Sequence, residues 1–247
     1  MPKLNLYDKD LDYSYALGIF PSTECLKNTP ERCLRLLLST QGEDSEGIQK
    51  LRQAAEKAGV RVEYADHVLQ KVSRKGNCFA AMVFKKAEYP LERTRNHLVL
   101  HNPSDAGNMG TILRTALGFG FTDVAIIRPA VDSDDPHVIR ASMGAAFSMR
   151  IRHYDSFEAY RAEFPEHQLF PFMLTGSVPL NEAVAKADDG VYSLIMGNEA
   201  TGLPDSFSGI GTGVRIPHSD KIDSLNLGIA ASIGMYMFTH GKEGQQA

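Results

Sequence analysis

The chain has 247 residues, of which 43% are hydrophobic, and a formal net charge of −4. That is enough apolar material for one large domain or two modest ones, and it excludes a globally disordered chain. The N-terminal stretch lacks the basic and apolar regions of a secretion signal, and no run supplies the eighteen or so apolar residues of a membrane helix, so a soluble, cytoplasmic protein without membrane attachment is expected.

Taken in chain order, residues 34–38 predict a short buried strand, 48–58 an amphipathic helix closed by Gly59, 60–64 a second strand and 79–84 a third. The polar stretch 86–96, with Pro90 inside it, reads as a linker, giving a small α/β domain over 1–90 and a larger one over 96–247. Beyond the linker the pattern alternates: strand 98–101, helix 108–118, strand 124–127, a helix within 136–147, strand 149–153, helix 157–164, strand 169–175, helix 182–187, strands 192–196 and 213–217, and a last helix over 224–239. Such alternation predicts a mostly parallel sheet with helices on both faces, and ligands in such sheets sit beyond the carboxyl ends of the strands.

Charge is unevenly spread. Residues 1–95 hold 16 Lys and Arg against 13 Asp and Glu, a net of +3, while the rest holds 10 against 17, a net of −7. Lys71, Arg74, Lys75, Lys85 and Lys86 crowd one stretch and are candidate phosphate ligands; an ordinary solvated face is the alternative. Cys25, Cys33 and Cys78 show no CxxC spacing, so neither a disulfide framework nor a zinc site is indicated, and no metal is expected.

Three segments run off strand ends. In residues 102–121, Gly107 and Gly110 permit close approach, Asn108 lies where a helix begins, and Arg114 follows; amides and an arginine fork suit an anion. Helix capping beside a solvated arginine is an equal reading. In residues 193–204, Gly197 and Gly202 flank Asn198 and Glu199 beyond a strand, where a tight turn is the simpler alternative. In residues 214–238, Ile216 and a polar loop lead to Ser224, Leu225 and Asn226 and then to a helix rich in Gly, Ala and Ser, with Ser224 a candidate cap. The glycine fingerprint of a dinucleotide-binding oxidoreductase is missing.

In order and content these segments resemble the three signature motifs of the SpoU (TrmH-type) RNA 2'-O-ribose methyltransferases of the SPOUT class, over residues 98–240 and including the Ile139-Arg-Ala-Ser-Met-Gly-Ala-Ala-Phe stretch. The first ninety residues are similar to that family's accessory RNA-binding domain through residues 15–26 and 73–83, although Asn77-Cys78-Phe79 stand where many relatives carry His-Gln-Gly. The resemblance implies a C-terminal trefoil knot, a homodimer through the knotted domain, S-adenosylmethionine as methyl donor, and ribosomal or transfer RNA as substrate. It also implies catalytic roles for Asn108, Arg114, Glu199, Ser224 and Asn226, and a donor site at Thr175, Gly176, Gly197, Asn198, Ile216, Leu225 and Asn226. An RNA-binding protein of the same fold without catalysis is the rival expectation.

Overall fold

The computed structural model describes residues 4–73 and 78–241. By internal contacts the chain forms two compact units, one of residues 1–87 with 132–148 and one of 88–131 with 149–247.

The first unit opens with β1 (Tyr13–Leu17), α1 (Ile19–Asn28), β2 (Cys33–Leu38), α2 (Glu46–Lys57), β3 (Arg61–Tyr64), α3 (Asp66–Ser73) and β4 (Ala80–Lys85). Its sheet runs β1-β4-β2-β3, with β4 antiparallel to both neighbours and β2 parallel to β3. Tyr15, Leu17, Leu37, Leu69, Ala81 and Val83 form a core cluster. β1, α1 and α3 are additions to the elements expected from the sequence.

The second unit begins with β5 (His97–His101), α4 (Ala106–Gly118) and β6 (Asp123–Ile127). The chain then passes to α5 (Pro136–Ala141), which packs on β1 in the first unit. The sequence-based division assigns residues 132–148 to the second domain; their contacts lie with the first. A guanidinium and a carboxylate explain the attachment: Arg32 pairs with Asp134 at 3.0 Å, with side chains only 7% and 14% exposed, and lies over the Phe84 and Phe147 rings. Lys86 adds a pair to Asp132 at 2.7 Å.

The second unit continues with β7 (Arg150–Tyr154), α6 (Phe157–Glu163), β8 (Gln168–Pro171), β9 (Val178–Pro179), α7 (Leu180–Lys186), β10 (Tyr192–Met196), β11 (Val214–Arg215) and α8 (Leu227–His240). Its main sheet, β7-β6-β5-β10-β8, is parallel throughout. β10 is buried at every position, as expected of a strand covered on both faces. Ile195 shares a cluster with Tyr160 of α6, while Tyr192 meets Phe238 of α8 at 5.3 Å between ring centroids, so successive residues serve opposite faces.

Near the C-terminus the backbone is crowded. Met173 donates to the carbonyl of Val214 and Thr212 to that of Leu169, each at 2.9 Å. A Cβ on Gly234 of α8 would fall 2.5 Å from the Phe172 ring, which accounts for a small residue there.

Candidate active site

Two loops meet beyond the carboxyl ends of β5 and β10. After β5, Asn102 adopts φ 56 and Asp105 caps α4, its Oδ1 accepting from the Asn108 amide at 2.7 Å. After β10, Gly197 lies so close to the returning chain that a Cβ would fall 2.3 Å from the Gly202 carbonyl carbon; reciprocal amide bonds of 3.1 and 3.0 Å join Asn198 and Gly202. Gly202 itself adopts φ 68, the left-handed conformation that glycine takes most readily.

Asn198 and Glu199 hold the two loops together. Asn198 Nδ2 donates to the Asn102 carbonyl at 2.7 Å, and its Oδ1 accepts from the Ala200 amide at 2.9 Å. The Glu199 carboxylate accepts from the Ser104 hydroxyl at 2.8 Å, the Ser104 amide at 3.1 Å and the Asp105 amide at 3.2 Å. Burial pushes the Glu199 carboxyl upward, but hydrogen bonds from its own amide, Ser104 and Asp105 outweigh it and leave the net shift downward. Glu199 is therefore an ionised clamp on the entry to α4, where the helix amides favour negative charge.

The third segment joins at α8. This helix begins at Leu227 and not at Ser224, and its cap is Asn226, whose Oδ1 accepts from the Ile229 amide at 3.2 Å. The other end of that side chain, Nδ2, donates to Asn108 Oδ1 at 3.0 Å. α4 and α8 run in the same direction: a Cβ on Gly228 would meet the Thr111 methyl at 3.5 Å, and near the far ends the rings of Phe119 and Tyr236 are 5.8 Å apart. Their positive N-terminal ends thus lie side by side.

The second and third segments, with residues 172–175 after β8, enclose a cavity of about 480 Å³; Asn108 and Arg114 of the first segment are not among its lining residues. Thr175, Gly197, Asn198, Glu199, Ile216, Ser224 and Leu225 all line it, together with apolar Phe172, Met196, Leu203 and Leu227. Gly176 and Asn226 are not among its lining residues; they adjoin Thr175 and Leu225 along the chain. Arg215, Asp205 and Asp223 also line it and were not singled out in the sequence, which has no spacing signal for them; His218, whose position in the sequence reads as a loop residue, lines it too.

The SpoU rRNA methylase family model matches residues 95–236, the span that contains all three loops. The chain belongs to this family. Over its full architecture it is similar to the 23S rRNA (guanosine-2'-O-)-methyltransferase RlmB of Acinetobacter baylyi, 27% identical over 240 residues, which are 90% of this chain and 95% of that protein. A putative tRNA (cytidine(34)-2'-O)-methyltransferase of Listeria innocua is 29% identical over 144 residues, covering 57% of this chain and 85% of the relative. The fold matches that of the SpoU methyltransferase AviRb from Streptomyces viridochromogenes, solved in complex with AdoMet, with a TM-score of 0.80, 20% identity and coverage of 97% and 96%.

Within this SpoU chain the remaining candidates are spread out. Arg114 is exposed on α4, one turn beyond Thr111, and has no ion pair among the described residues. Lys71 is exposed in the last turn of α3 and Lys85 at the end of β4. Lys86 is engaged: besides Asp132 it donates to the Lys9 carbonyl at 2.8 Å and lies over the Tyr7 ring. Arg74 and Lys75 lie outside the described residues.

Proposed function

We propose that this chain methylates a ribose 2'-hydroxyl in ribosomal or transfer RNA with S-adenosylmethionine as the donor. The observation that carries this reading is the convergence of the second and third motif loops around one cavity, with the first loop tied to both: Glu199 accepts from Ser104 and Asp105, and Asn226 donates to Asn108. The Acinetobacter and Listeria relatives are both named for RNA 2'-O-methylation.

The donor fits the residues present. A cavity of about 480 Å³ with apolar walls and exposed loop backbone suits a nucleoside-sized ligand. Thr175, Gly197, Ile216 and Leu225 would hold it, with Gly176, Asn198 and Asn226 shaping the surroundings. When bound, the sulfonium supplies an electrophilic methyl group for an in-line displacement.

The chain's own work is alignment and charge control. Glu199 is saturated by donors from Ser104 and Asp105, so it fixes the loop geometry rather than abstracting the ribose proton. The paired helix N-termini favour an anionic RNA group near Asn108. Arg114 is available for a phosphate or for the reacting hydroxyl; a guanidinium stays protonated near neutral pH, which favours contact with phosphate. Ser224 is free of a capping duty and is left to shape the donor and acceptor pockets.

The same reading assigns residues 1–90 to accessory RNA binding, through Lys71, Arg74, Lys75, Lys85 and Lys86, and residues 96–247 to catalysis. It includes a trefoil knot, supported by the close passage of residues 169–178 beside 211–215, and a cytoplasmic location. A homodimer through α8 is supported by Ile229 and Tyr236, 52% and 51% exposed on a helix that is apolar on nearly all sides.

The test is transfer of a labelled methyl group from S-adenosylmethionine to separate unmodified ribosomal and transfer RNA pools, followed by nucleoside analysis, with Arg114→Ala alongside. A 2'-O-methylated nucleoside made by the wild type and lost in the variant supports the reading. Donor binding without transfer to either pool favours the non-catalytic RNA binder.

A further inference from the structure

The turn from α1 into β2 brings two sulfurs together. Cys25 Sγ and Cys33 Sγ lie 3.6 Å apart, the first fully buried and the second partly open to solvent. Hydrogen bonds fix the turn: the Thr29 amide and hydroxyl donate to the Cys25 carbonyl at 2.9 and 3.0 Å, the Arg32 amide donates to the Thr29 carbonyl at 3.0 Å, and the Cys33 thiol points to that same carbonyl at 3.7 Å. Each sulfur is thus presented to the other at an effective concentration far above that of a free thiol in solution.

The two thiols are unequal. The Cys25 S–H donated to Cys33 lowers the Cys33 thiol below its ordinary value; burial and the Glu31 carboxylate oppose this, and the Arg32 guanidinium assists. The Cys25 thiol is pushed up, by the same contact and then by burial. The thiol that is lowered also belongs to the residue that is partly open to solvent, the pairing a reactive cysteine requires.

We propose that Cys25 and Cys33 form a reversible thiol–disulfide pair that a hydroperoxide oxidises in the folded protein. The Cys33 thiolate attacks the distal peroxide oxygen; the O–O bond breaks, an S–O bond forms, and the departing oxyanion takes a proton to leave as an alcohol or water. Cys25 then attacks the resulting sulfenic sulfur, the S–S bond forms as the S–O bond breaks, and the hydroxide leaves as water with the Cys25 proton. Two thiols have given two electrons to one peroxide, and an external dithiol reverses the step by exchange. Arg32, which anchors Asp134, is the residue immediately before Cys33. Cys78, whose thiol is raised by burial, serves as an internal control.

The reduced full-length chain is treated in native buffer with stoichiometric hydrogen peroxide, then alkylated in denaturant and weighed intact. The expected product has lost two hydrogens, carries a single alkyl group on Cys78, and yields tryptic peptides of Cys25 and Cys33 that stay joined until dithiothreitol is added. Cys33→Ser is expected to leave Cys25 as a thiol, and Cys25→Ser to stop at a Cys33 sulfenic acid trapped by dimedone. Three alkylatable thiols after peroxide, a link through Cys78, or a Cys25–Cys33 link that forms only in urea overturns the proposal. If Cys25→Ser does not fold, the wild-type linkage and Cys33→Ser decide the matter without it.

Discussion

Asn226 Nδ2 donates to Asn108 Oδ1 at 3.0 Å while Asn226 Oδ1 caps α8, so one amide ties the start of α8 to the first turn of α4. Asn226→Ala removes the cap and the bridge together, and a lost cap costs about 1 kcal/mol. Asn226→Asp keeps an oxygen for the Ile229 amide and adds charge at a helix N-terminus. The expected result in urea titrations is a lower midpoint for the alanine variant and little change for the aspartate. Methyl transfer is expected to fall in both, because neither keeps the donor to Asn108. Full activity in Asn226→Asp removes the bridge from the catalytic argument.

Glu199 has a carboxyl held below its ordinary value, so the folded state binds protons there less readily than the unfolded chain. Its stabilisation is present above the unfolded pKa of about 4.3 and is lost as the pH falls through the folded value. Glu199→Gln is expected to be less stable than wild type at pH 7 by on the order of 1 kcal/mol, as befits weakened bonds from Ser104 and Asp105. The gap is expected to narrow in acid, as the wild-type carboxyl takes up a proton. Denaturant titrations of both proteins at pH 7 and pH 3 read this directly, and a gap that persists unchanged at pH 3 contradicts the assignment.

Much of this was legible in the sequence, and the exceptions have physical causes. β10 was plain because a strand buried on both faces reads as an unbroken apolar run. The start of α8 differs from the expectation because Ser224 and Asn226 are both good caps by residue type, whereas in the structure Asn226 accepts from the Ile229 amide and is tied to Asn108. The placement of residues 132–148 depends on Arg32 meeting Asp134 across a hundred residues, which no local pattern encodes. The loop residues Asn198 and Glu199 stood out by composition, but their partners Asn102, Ser104 and Asp105 did not, since a Ser-Asp pair before a helix signals only capping.

Glycine substitutions separate crowding from backbone freedom. Gly197→Ala places a Cβ 2.3 Å from backbone that cannot rotate away, and Gly234→Ala places one 2.5 Å from the Phe172 ring. Each is expected to cost about 1–3 kcal/mol or more, as overpacking does. Gly118→Ala meets nothing within 4 Å at the end of α4 and is expected to gain up to about 1 kcal/mol from helix propensity. Thermal melts of the three variants rank them; equal melting temperatures for Gly197→Ala and wild type refute the tight crossing after β10.

At the opposite end of the sheet, His97, Tyr160, Ser193 and His167 form a buried chain of close polar contacts between the carbonyls of Glu92 and Arg93. Five contacts need five hydrogens, and neutral side chains supply four. The 2.9 Å contact to the Glu92 carbonyl requires a proton on His97 Nε2, so Tyr160 donates to Nδ1, Ser193 to Tyr160, and His167 Nδ1 to Ser193. The contact left without a hydrogen is the longest, 3.3 Å from His167 Nε2 to the Arg93 carbonyl. Burial lowers His97 to about 4 and lowers His167 as well. The unfolded chain therefore binds more protons than the folded one below about pH 6.5. This stabilisation is complete above that pH and is expected to drain away as pH falls toward 4, by about 3 kcal/mol for a shift of the size at His97. Stability measured by urea titration between pH 7 and 4.5 should fall in the wild type and fall less steeply in His97→Gln, compared as slopes because that variant starts from a lower stability. Parallel slopes in the two proteins assign the acid sensitivity elsewhere.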